Sequence, residues 1–508
     1  MQNHVLDYLN QTVRRIPDKV AFSDGTDSLT FYEVWRQSGA VGSWLSGQGI
    51  YKEPVVVFMD RHPETITAFL GVIAGGCFYI PVDLEMPEMR IELILKNTKA
   101  RVMICDGRTV GTAKSLRFNG KIVLYKEICG TEIQEEVLQR IYDNAIDTDL
   151  IYVVFTSGST GIPKGVTGCH RSVIDYIEQL SEVLGFGEDT RFGSQAPLYF
   201  DACMKEIYPT LKFGASTYLI PKELFMFPMK LVEFLNHHQI NTLCWVVSAL
   251  TMISAFGTFE SIVPEYLRTI AFVGEIFPVK QFNRWRSALP EVDYVNLYGP
   301  TEGTGVCCYY RVEREFAPGE VLPIGKPFKN TEIILLNERN EKALAGEDGE
   351  ICIRGTCLSH GYYSDPERTK TAFVQNPLNQ SYPEMIYRTG DIGRYNKEGE
   401  LLFVSRKDYQ IKHMGHRIEL GEIEAYANMV EGVEMAGCIY DKEKNKIFLY
   451  YVGRITEKDM AVTLKNRLPR YMTPNHICKL EKMPFTPNGK IDRKALETNY
   501  LLIGKSGI

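Results

Sequence analysis

The sequence predicts an α/β protein, with a large N-terminal domain of two α/β subdomains plus a small β-barrel and a mobile, small C-terminal α+β domain. Three observations support this prediction. The chain has 508 residues, of which 44% are hydrophobic, and a single core rarely grows beyond about 250 to 300 residues. Strand-like and helix-like patterns alternate over residues 1–310. From residue 320, short strands separated by turn residues replace that alternation.

The first series of elements begins with VVVFMD (55–60), continues through the helical pattern ETITAFLGVIAGG and reaches FYIPVD (78–83). The segments RVMIC, KIVLY and IYVVF extend it. A second series contains NTLCWVV, TIAFV and DYVNLY. Apolar strands that alternate with helices are typical of βαβ units and parallel sheets, so two α/β sheets are expected.

The later part of the chain has a different pattern. Over residues 320–404, TEIILL, EICIRG and LLFVS are separated by Gly, Asp and Asn turns, which favours a small antiparallel barrel. The polar run SRKD (405–408) then precedes two helical patterns and the strands GCIYD and IFLYYV. We therefore predict domains at 1–407 and 408–508, with a hinge in the SRKD run.

Composition disfavours several classes of function. The formal net charge is -6, and the charged residues are scattered without a basic stripe, so nucleic acid and anionic membranes are not expected partners. The 12 cysteines include no CxxC pair. Neither a leader peptide nor an apolar stretch of about 18 to 20 residues is apparent. We expect a cytoplasmic protein without a membrane span.

Residues 155–166, FTSGSTGIPKGV, follow an apolar strand and concentrate hydroxyls, backbone N–H groups and one lysine. Such a loop suits a triphosphate. The order Gly-Lys-Ser/Thr of the common nucleotide-binding P-loop is absent, and the alternative interpretation is a glycine-rich linker. The predicted phosphate-binding residues are Thr156, Ser157, Gly158, Ser159, Thr160 and Lys164.

The segment NLYGPTEGT (296–304) follows strand DYV and offers an aromatic ring, a turn, a hydroxyl and a carboxylate. Because Mg²⁺ takes few protein carboxylates in addition to waters and phosphate oxygens, Glu302 is the predicted metal ligand. Thr301 is predicted to contact a phosphate or a substrate carboxylate, and Tyr298 to line an adenine pocket. The alternative is a turn with a packed tyrosine and a solvated glutamate.

With YRTGD (387–391), SRKDYQIKHMGHRIELGEIE (405–424) and PFTPNGKIDRKAL (484–496), these motifs resemble the adenylate-forming superfamily of acyl-CoA synthetases, luciferases and nonribosomal peptide synthetase adenylation domains. The resemblance covers nearly the whole chain and departs mildly at Ser405, where glycine is usual. It implies ATP and Mg²⁺ as cofactors, and the hinge at Asp408. The implied catalytic residues are Lys490, Glu302 and Thr301. The implied ATP-binding residues are Thr156, Ser157, Gly158, Ser159, Thr160, Lys164, Asn296, Tyr298, Gly299, Asp391, Arg406 and Lys490.

The segment LYFDACMKEIYP (198–209) bears on the substrate. Asp201 resembles the aspartate that holds the α-ammonium in amino-acid adenylating enzymes, and a buried carboxylate requires a cation. Lys205 favours a substrate with an acidic or strongly hydrogen-bonding side chain such as glutamate. In the alternative interpretation, Lys205 reaches solvent or pairs with Glu206. By resemblance, the remaining pocket residues are Ala202, Cys244, Ala271, Val273, Gly274, Leu297, Gly305 and Val306.

The resemblance implies a stand-alone enzyme that activates an amino acid with ATP, releases pyrophosphate and transfers the aminoacyl group to the phosphopantetheine thiol of a separate carrier protein. Its size and layout are similar to those of D-alanine:carrier protein ligases of teichoic acid D-alanylation. Val273 stands where those ligases favour cysteine. The alternatives are therefore such a D-alanine ligase, or an acyl- or aryl-CoA ligase, in which no counterpart of Asp201 is expected.

Overall fold

The structure is a computed structural model, and it describes residues 2–158, 162–317, 319–442, 444–486 and 491–503. The strands, in chain order, are β1 (Val20–Ser23), β2 (Ser28–Thr30), β3 (Pro54–Phe58), β4 (Phe78–Val82), β5 (Val102–Cys105), β6 (Lys121–Leu124), β7 (Leu150–Thr156), β8 (Lys164–Cys169), β9 (Arg191–Ser194), β10 (Ser216–Leu219), β11 (Thr242–Val246), β12 (Thr269–Val273), β13 (Asp293–Tyr298), β14 (Cys308–Arg311), β15 (Lys326–Pro327), β16 (Thr331–Leu336), β17 (Gly349–Gly355), β18 (Phe373–Gln375), β19 (Met385–Tyr395), β20 (Leu401–Arg406), β21 (Gln410–His413), β22 (His416–Glu419), β23 (Val433–Asp441), β24 (Lys446–Gly453) and β25 (His476–Lys479).

The α-helices are α1 (Asp7–Arg15), α2 (Phe31–Gly47), α3 (Pro63–Ala74), α4 (Glu88–Thr98), α5 (Val110–Ser115), α6 (Tyr125–Ile128), α7 (Glu135–Asp143), α8 (His170–Leu184), α9 (Met204–Phe213), α10 (Pro228–His237), α11 (Val247–Ala255), α12 (Val279–Ala288), α13 (Pro366–Ala372), α14 (Leu420–Asn428), α15 (Glu457–Arg467) and α16 (Arg493–Ile503). None of the described helices is long and apolar enough to cross a membrane.

The chain divides into two compact units. The first comprises Met1–Leu84, Thr98–Phe155 and Gly165–Lys407. The second comprises Asp408–Ile508 together with two segments from earlier in the sequence, Glu85–Asn97 and Thr156–Lys164. The second unit is therefore discontinuous in sequence, and it includes the predicted phosphate loop.

A six-stranded sheet contains the first predicted βαβ series, in the order β6-β5-β3-β4-β7-β8. Its central strands β3 and β4 are parallel, with Val55 opposite Tyr79. All five residues of each strand are buried. A parallel sheet covered on both faces requires such continuous apolar strands. For this reason the apolar runs of the sequence predict these strands correctly.

A nine-stranded sheet contains the second series, in the order β15-β14-β13-β12-β11-β9-β10-β1-β2. The neighbours β11, β12 and β13 are parallel and in register, so that Val246, Val273 and Leu297 lie side by side. Parallel strands that end together place the loops that follow them at one edge of the sheet. This edge of the first unit carries most of the predicted substrate residues.

A five-stranded antiparallel sheet occupies the region predicted as a small barrel. The order is β16-β17-β19-β18, with β20 also paired to β19. The 11-residue strand β19 pairs with three neighbours and places Asp391 directly opposite Arg406. Strand register thus brings two of the predicted ATP-binding residues together.

The second unit contains the hairpin β21–β22 and the sheet β23-β24-β25. Its hairpin turns at Met414 and Gly415, both with positive φ angles of 52° and 77°, as a two-residue primed turn requires. Helices α14 and α15 pack an apolar core that includes Ile418, Ile423 and Leu464. This is an α+β arrangement.

A buried ion pair lies within the second unit. Arg90 of α4 is 3% exposed and donates to Oε1 of the fully buried Glu422 of α14. The other carboxylate oxygen of Glu422 accepts the Gly158 N–H at 3.2 Å. Because each charge would be costly to bury alone, the pair joins all three sequence segments of this unit.

We expect Arg90→Met to lower the free energy of unfolding by about 3 to 5 kcal/mol, because the substitution leaves the Glu422 carboxylate buried without its cation. Urea unfolding of the full chain measures the change. Arg394→Met is the matched control, since Arg394 forms an exposed pair with Asp348 and exposed pairs contribute little. Equal shifts in the two variants would contradict this role of the buried pair.

Candidate active site

The predicted substrate pocket residues of the first unit lie close together. Cys244, Ala271, Leu297 and Val306 are buried members of one apolar cluster, and Ala202 and Val273 pack against it. Gly274 follows β12 with a φ of 96°. At Gly305, a Cβ atom would lie 3.3 Å from the Tyr176 ring, so the ring packs closely against the glycine backbone.

Asp201 starts a short 3₁₀ turn that leads into α9. Its side chain is buried, and burial raises its carboxyl pKa, against the opposing effects of the hydrogen bond from Thr301 and the charge of Lys205. The nearby carboxylate of Glu302 raises that pKa further. Asp201 is therefore a desolvated acid whose ionised form gains from an additional cation.

Lys205, the second residue of α9, is 1% exposed. Its ammonium donates to the Ala202 carbonyl at 3.0 Å. It does not reach solvent, as one sequence interpretation had it. Neither carboxylate oxygen of Glu206 has a hydrogen-bond partner among the described residues, although the Lys205 charge lowers the Glu206 pKa. Lys205 also lies near the pocket residue Cys244: burial and the Glu206 carboxylate raise the pKa of that thiol, and the Lys205 charge opposes them.

Glu206 is a buried acid that the sequence interpretation considered only as a partner for Lys205. It is 1% exposed. Burial raises its pKa to about 7, although Lys205, the Ser194 hydroxyl and Arg61 act in the opposite direction. The Arg61 guanidinium donates to the carbonyls of Ile220 at 2.6 Å and Ser194 at 2.7 Å. The sequence shows an acid next to Lys205, but no pattern in it predicts that the side chain of this acid is buried.

Glu302 lies in a 3₁₀ turn, Thr301–Gly303, shortly after β13. Its side chain is fully buried, and its Oε1 accepts a hydrogen bond from the Tyr362 hydroxyl at 2.7 Å. Its neighbour Thr301 contacts Asp201. Tyr362 was missed by sequence reasoning, because nothing in GYYSDPER shows which distant group its hydroxyl meets.

The predicted nucleoside residues form a hydrogen-bonded group around Asp391. The Tyr298 hydroxyl donates to Oδ2 of Asp391 at 2.6 Å, and Arg406 donates to Oδ1. Burial and Asp391 together hold the phenol pKa of Tyr298 well above its usual value. Two further predicted residues contact the backbone of neighbouring segments. The side-chain amide of Asn296 donates to the Pro323 carbonyl at 2.7 Å. At Gly299, a Cβ atom would lie 2.6 Å from the Gly305 carbonyl oxygen.

The described part of the phosphate loop lies in the second unit. The Ser157 hydroxyl donates to the Arg417 carbonyl at 2.7 Å, and the Gly158 N–H is the group that meets Glu422. The Thr156 hydroxyl is buried and has no partner among the described residues. Lys164 is also buried. Two donors predicted for phosphate are therefore bound to the chain's own oxygens.

Other predicted residues lie outside the described part of the chain, namely Ser159, Thr160 and Lys490. Asp408, the predicted hinge, is the first residue of the long C-terminal segment of the second unit. Its carboxylate accepts the Gln410 N–H at 3.2 Å.

Two places in the described part of the first unit offer metal-ligand atoms. At Glu302 the donor is a hard carboxylate, which fits Mg²⁺, an ion that takes one or two protein carboxylates and completes its shell with water and phosphate. Asp24, Asp27 and His62 bring ligand atoms within 4.8 Å of one another. There, Nδ1 of His62 accepts the Glu64 N–H, which leaves the proton on Nε2, facing Asp27. That arrangement suits a hydrogen bond and disfavours a metal.

Comparison with known proteins decides the family. A family model described as AMP-binding enzyme matches residues 9–363. The chain belongs to this family. The resemblance to adenylate-forming enzymes that the motifs predicted is therefore confirmed.

Curated relatives of this AMP-binding enzyme include large synthases. Tyrocidine synthase 1 of Brevibacillus parabrevis is 31% identical over 497 residues, which are 96% of this chain and 44% of that protein. Delta-poly-L-ornithine synthetase of Acinetobacter baumannii (strain AB307-0294) is 31% identical over 513 residues, 99% of this chain and 37% of that protein. The chain thus spans less than half the length of these relatives.

Solved structures confirm the fold. The Vibrio cholerae adenylation domain AlmE, in complex with glycyl-adenosine-5'-phosphate, has a TM-score of 0.85 at 22% identity and covers 99% of this chain and 98% of its own. The o-succinylbenzoate CoA synthetase of Bacillus subtilis has a TM-score of 0.83 at 18% identity, over 97% of this chain and 98% of its own. At these identities the likeness concerns the adenylation-domain fold alone.

Glu206 makes stability depend on pH. Its pKa rises from 4.5 to about 7 on folding, so between these values the folded state binds more protons than the unfolded state, and stability falls as pH rises. Glu206→Gln removes this titration. From pH 4.5 to pH 7 we expect the wild type to lose about 3 kcal/mol of unfolding free energy relative to the variant.

Thermal unfolding of both proteins across this pH range measures the effect. A difference in stability that stays constant from pH 4.5 to pH 8 would contradict a shifted pKa at Glu206.

Proposed function

We propose that this AMP-binding enzyme activates an amino acid with ATP, releasing pyrophosphate, and transfers the aminoacyl group from its adenylate to the phosphopantetheine thiol of a carrier protein. The observation that carries the proposal is Asp201, a buried acid placed at the edge of the apolar pocket and next to Thr301. A pocket for a fatty or aromatic acid has no use for a desolvated carboxylate at this place.

The α-ammonium of an amino acid supplies the cation that the ionised form of Asp201 favours. Thr301 contacts Asp201 and is next in sequence to Glu302, so the ammonium site lies close to the predicted metal carboxylate. Holding the substrate carboxylate near the α-phosphate of ATP is the main requirement of the first half-reaction, because such chemistry depends on positioning and charge neutralisation.

The side-chain pocket favours a polar substrate. Its walls are apolar at Cys244, Ala271 and Leu297, but the Lys205 ammonium lies near Cys244. Among the described residues this ammonium makes one hydrogen bond, to the Ala202 carbonyl. A lysine ammonium has three N–H donors, so a carboxylate or amide oxygen of the substrate can accept a further hydrogen bond from Lys205. We propose a substrate such as glutamate. An alanine side chain would offer no acceptor to the remaining Lys205 donors.

Nucleotide binding uses three predicted groups. Asp391 with Arg406 serves the ribose, Tyr298 lines the adenine pocket, and Glu302 holds Mg²⁺, whose role is to neutralise the phosphate charge that develops as pyrophosphate leaves. By resemblance, Lys490 stabilises the same charge from the C-terminal domain, and Asp408 is the hinge of that domain. By resemblance, the residues of the phosphate loop bind the triphosphate of ATP.

One structural neighbour supports the proposed carrier-protein step. Structural neighbours include an artificially fused adenylation–PCP di-domain from Klebsiella oxytoca, with a TM-score of 0.80 at 22% identity, over 94% of this chain and 93% of its own. A carrier in trans is our proposal for this chain. The o-succinylbenzoate CoA synthetase shares the fold, and for a CoA ligase the Asp201 side chain would be dispensable.

Asp201→Asn keeps the shape of the side chain and removes its charge. We expect kcat/KM for the amino acid in ATP–pyrophosphate exchange to fall about a hundredfold or more, because a charged hydrogen bond to the α-ammonium is lost. Asp189→Asn is the control, since Asp189 pairs with Arg268 on the surface. Unchanged exchange in Asp201→Asn would reject amino-acid activation by this site.

Lys205→Met preserves the length of the side chain and removes its charge. We expect the preference to move from acidic or amide side chains towards apolar ones, by about a hundredfold in the ratio of kcat/KM values, because the lost contact is a hydrogen bond to a charged group. Lys212→Met, on the same helix, is the control, since Lys212 pairs with Glu178. An unaltered preference would show that Lys205 does not select the substrate.

A further inference from the structure

A short segment of the first unit, residues 359–363, holds Glu302 at two points. The Ser359 N–H donates to the Glu302 carbonyl at 2.9 Å. Three residues later, the Tyr362 hydroxyl donates to Oε1 of the Glu302 side chain at 2.7 Å. The same segment therefore fixes both the backbone and the carboxylate of the predicted metal ligand.

The other edge of this segment is bound to β8, the strand that follows the phosphate loop. The Gly361 carbonyl accepts from the Thr167 N–H at 3.2 Å and from the Thr167 hydroxyl at 3.0 Å. The Tyr363 N–H donates to the Gly165 carbonyl at 2.7 Å. These bonds tie Glu302 to β8 through the segment 359–363.

The tyrosine ring itself has little freedom. Tyr362 is 7% exposed and meets the Phe373 ring edge-on, with centroids 6.0 Å apart. Its backbone N–H donates to the Thr369 hydroxyl at 2.9 Å. Gly361 precedes it with a φ of 105°, and a Cβ there would lie 2.4 Å from the Thr369 methyl group. These contacts thus fix the position of the Tyr362 hydroxyl.

We propose that Tyr362 is a positioning residue for adenylation: its hydroxyl holds the Glu302 carboxylate in one orientation, so that the metal–triphosphate meets a preformed oxygen ligand. A glutamate side chain rotates about three bonds, and fixing it before the nucleotide arrives removes an ordering cost from binding. Hydrogen bonds to ionised acceptors are among the strong ones. This inference rests on the proposed function of Glu302.

The test is Tyr362→Phe, which keeps the ring and removes only the hydroxyl. Electron paramagnetic resonance titration of Mn²⁺, with the full chain and the nonhydrolysable analogue α,β-methylene-ATP, measures metal binding without turnover. We expect the dissociation constant for Mn²⁺ to rise about tenfold, the Mg²⁺ concentration for half-maximal exchange to rise in parallel, and KM for the amino acid to stay unchanged.

Tyr363→Phe is the matched control. It removes a neighbouring hydroxyl, which donates to the Thr98 carbonyl at 3.2 Å, and it should leave Mn²⁺ binding as in the wild type. In a Glu302→Gln background, Tyr362→Phe should cause no further loss, because the two groups act as one unit.

Wild-type Mn²⁺ affinity in Tyr362→Phe, or an additive loss in the double variant, would overturn the proposal. The titration does not depend on the acid substrate. A wild-type protein that binds Mn²⁺ with the analogue but activates no amino acid would therefore reject the proposed function while the effect of Tyr362→Phe still decides the positioning role.

Discussion

Burying carboxylates is the physical constraint around which the first unit is arranged. Asp201 and Glu302 are both removed from water and lie near enough for the charge of one to raise the pKa of the other. Such groups cost free energy unless hydrogen bonds and cations compensate them. Thr301 and Tyr362 supply hydrogen bonds, and Lys205 supplies a positive charge. The proposed ligands, an ammonium group and a divalent metal, supply the remaining positive charge.

The sheet determines where these groups meet. Strands β11, β12 and β13 run parallel and in register, so their carboxyl ends present apolar walls, while the 3₁₀ turns at Asp201 and Glu302 present acids. Desolvation of the pocket strengthens every charge interaction within it. Desolvation also raises the pKa of Glu206 to about 7, so the proposed specificity for a polar side chain would come with a buried acid that weakens stability near neutral pH.

Much of this could be predicted from local patterns. The apolar runs that became β3, β4, β11 and β12 are buried on both faces, and continuous apolar strands are readable in any sequence. Some motif residues also lie together in the structure: Asp391 faces Arg406, and six predicted pocket residues belong to one apolar cluster or pack against it. Contacts between side chains that are distant in sequence could not be predicted. Examples are the contact of Tyr362 with Glu302, 60 positions apart, and that of Arg90 with Glu422. No periodicity encodes such contacts, because tertiary packing creates them.

The most direct test of amino-acid activation is ATP–pyrophosphate exchange by the wild-type chain across all L- and D-amino acids, with benzoate and octanoate as carboxylic acids that lack an α-ammonium. An enzyme that uses Asp201 and Lys205 as proposed gives strong exchange with glutamate or another polar amino acid and none with the two controls. Exchange with D-alanine alone would retain amino-acid activation and remove the role given to Lys205. Exchange with benzoate or octanoate alone would contradict the account.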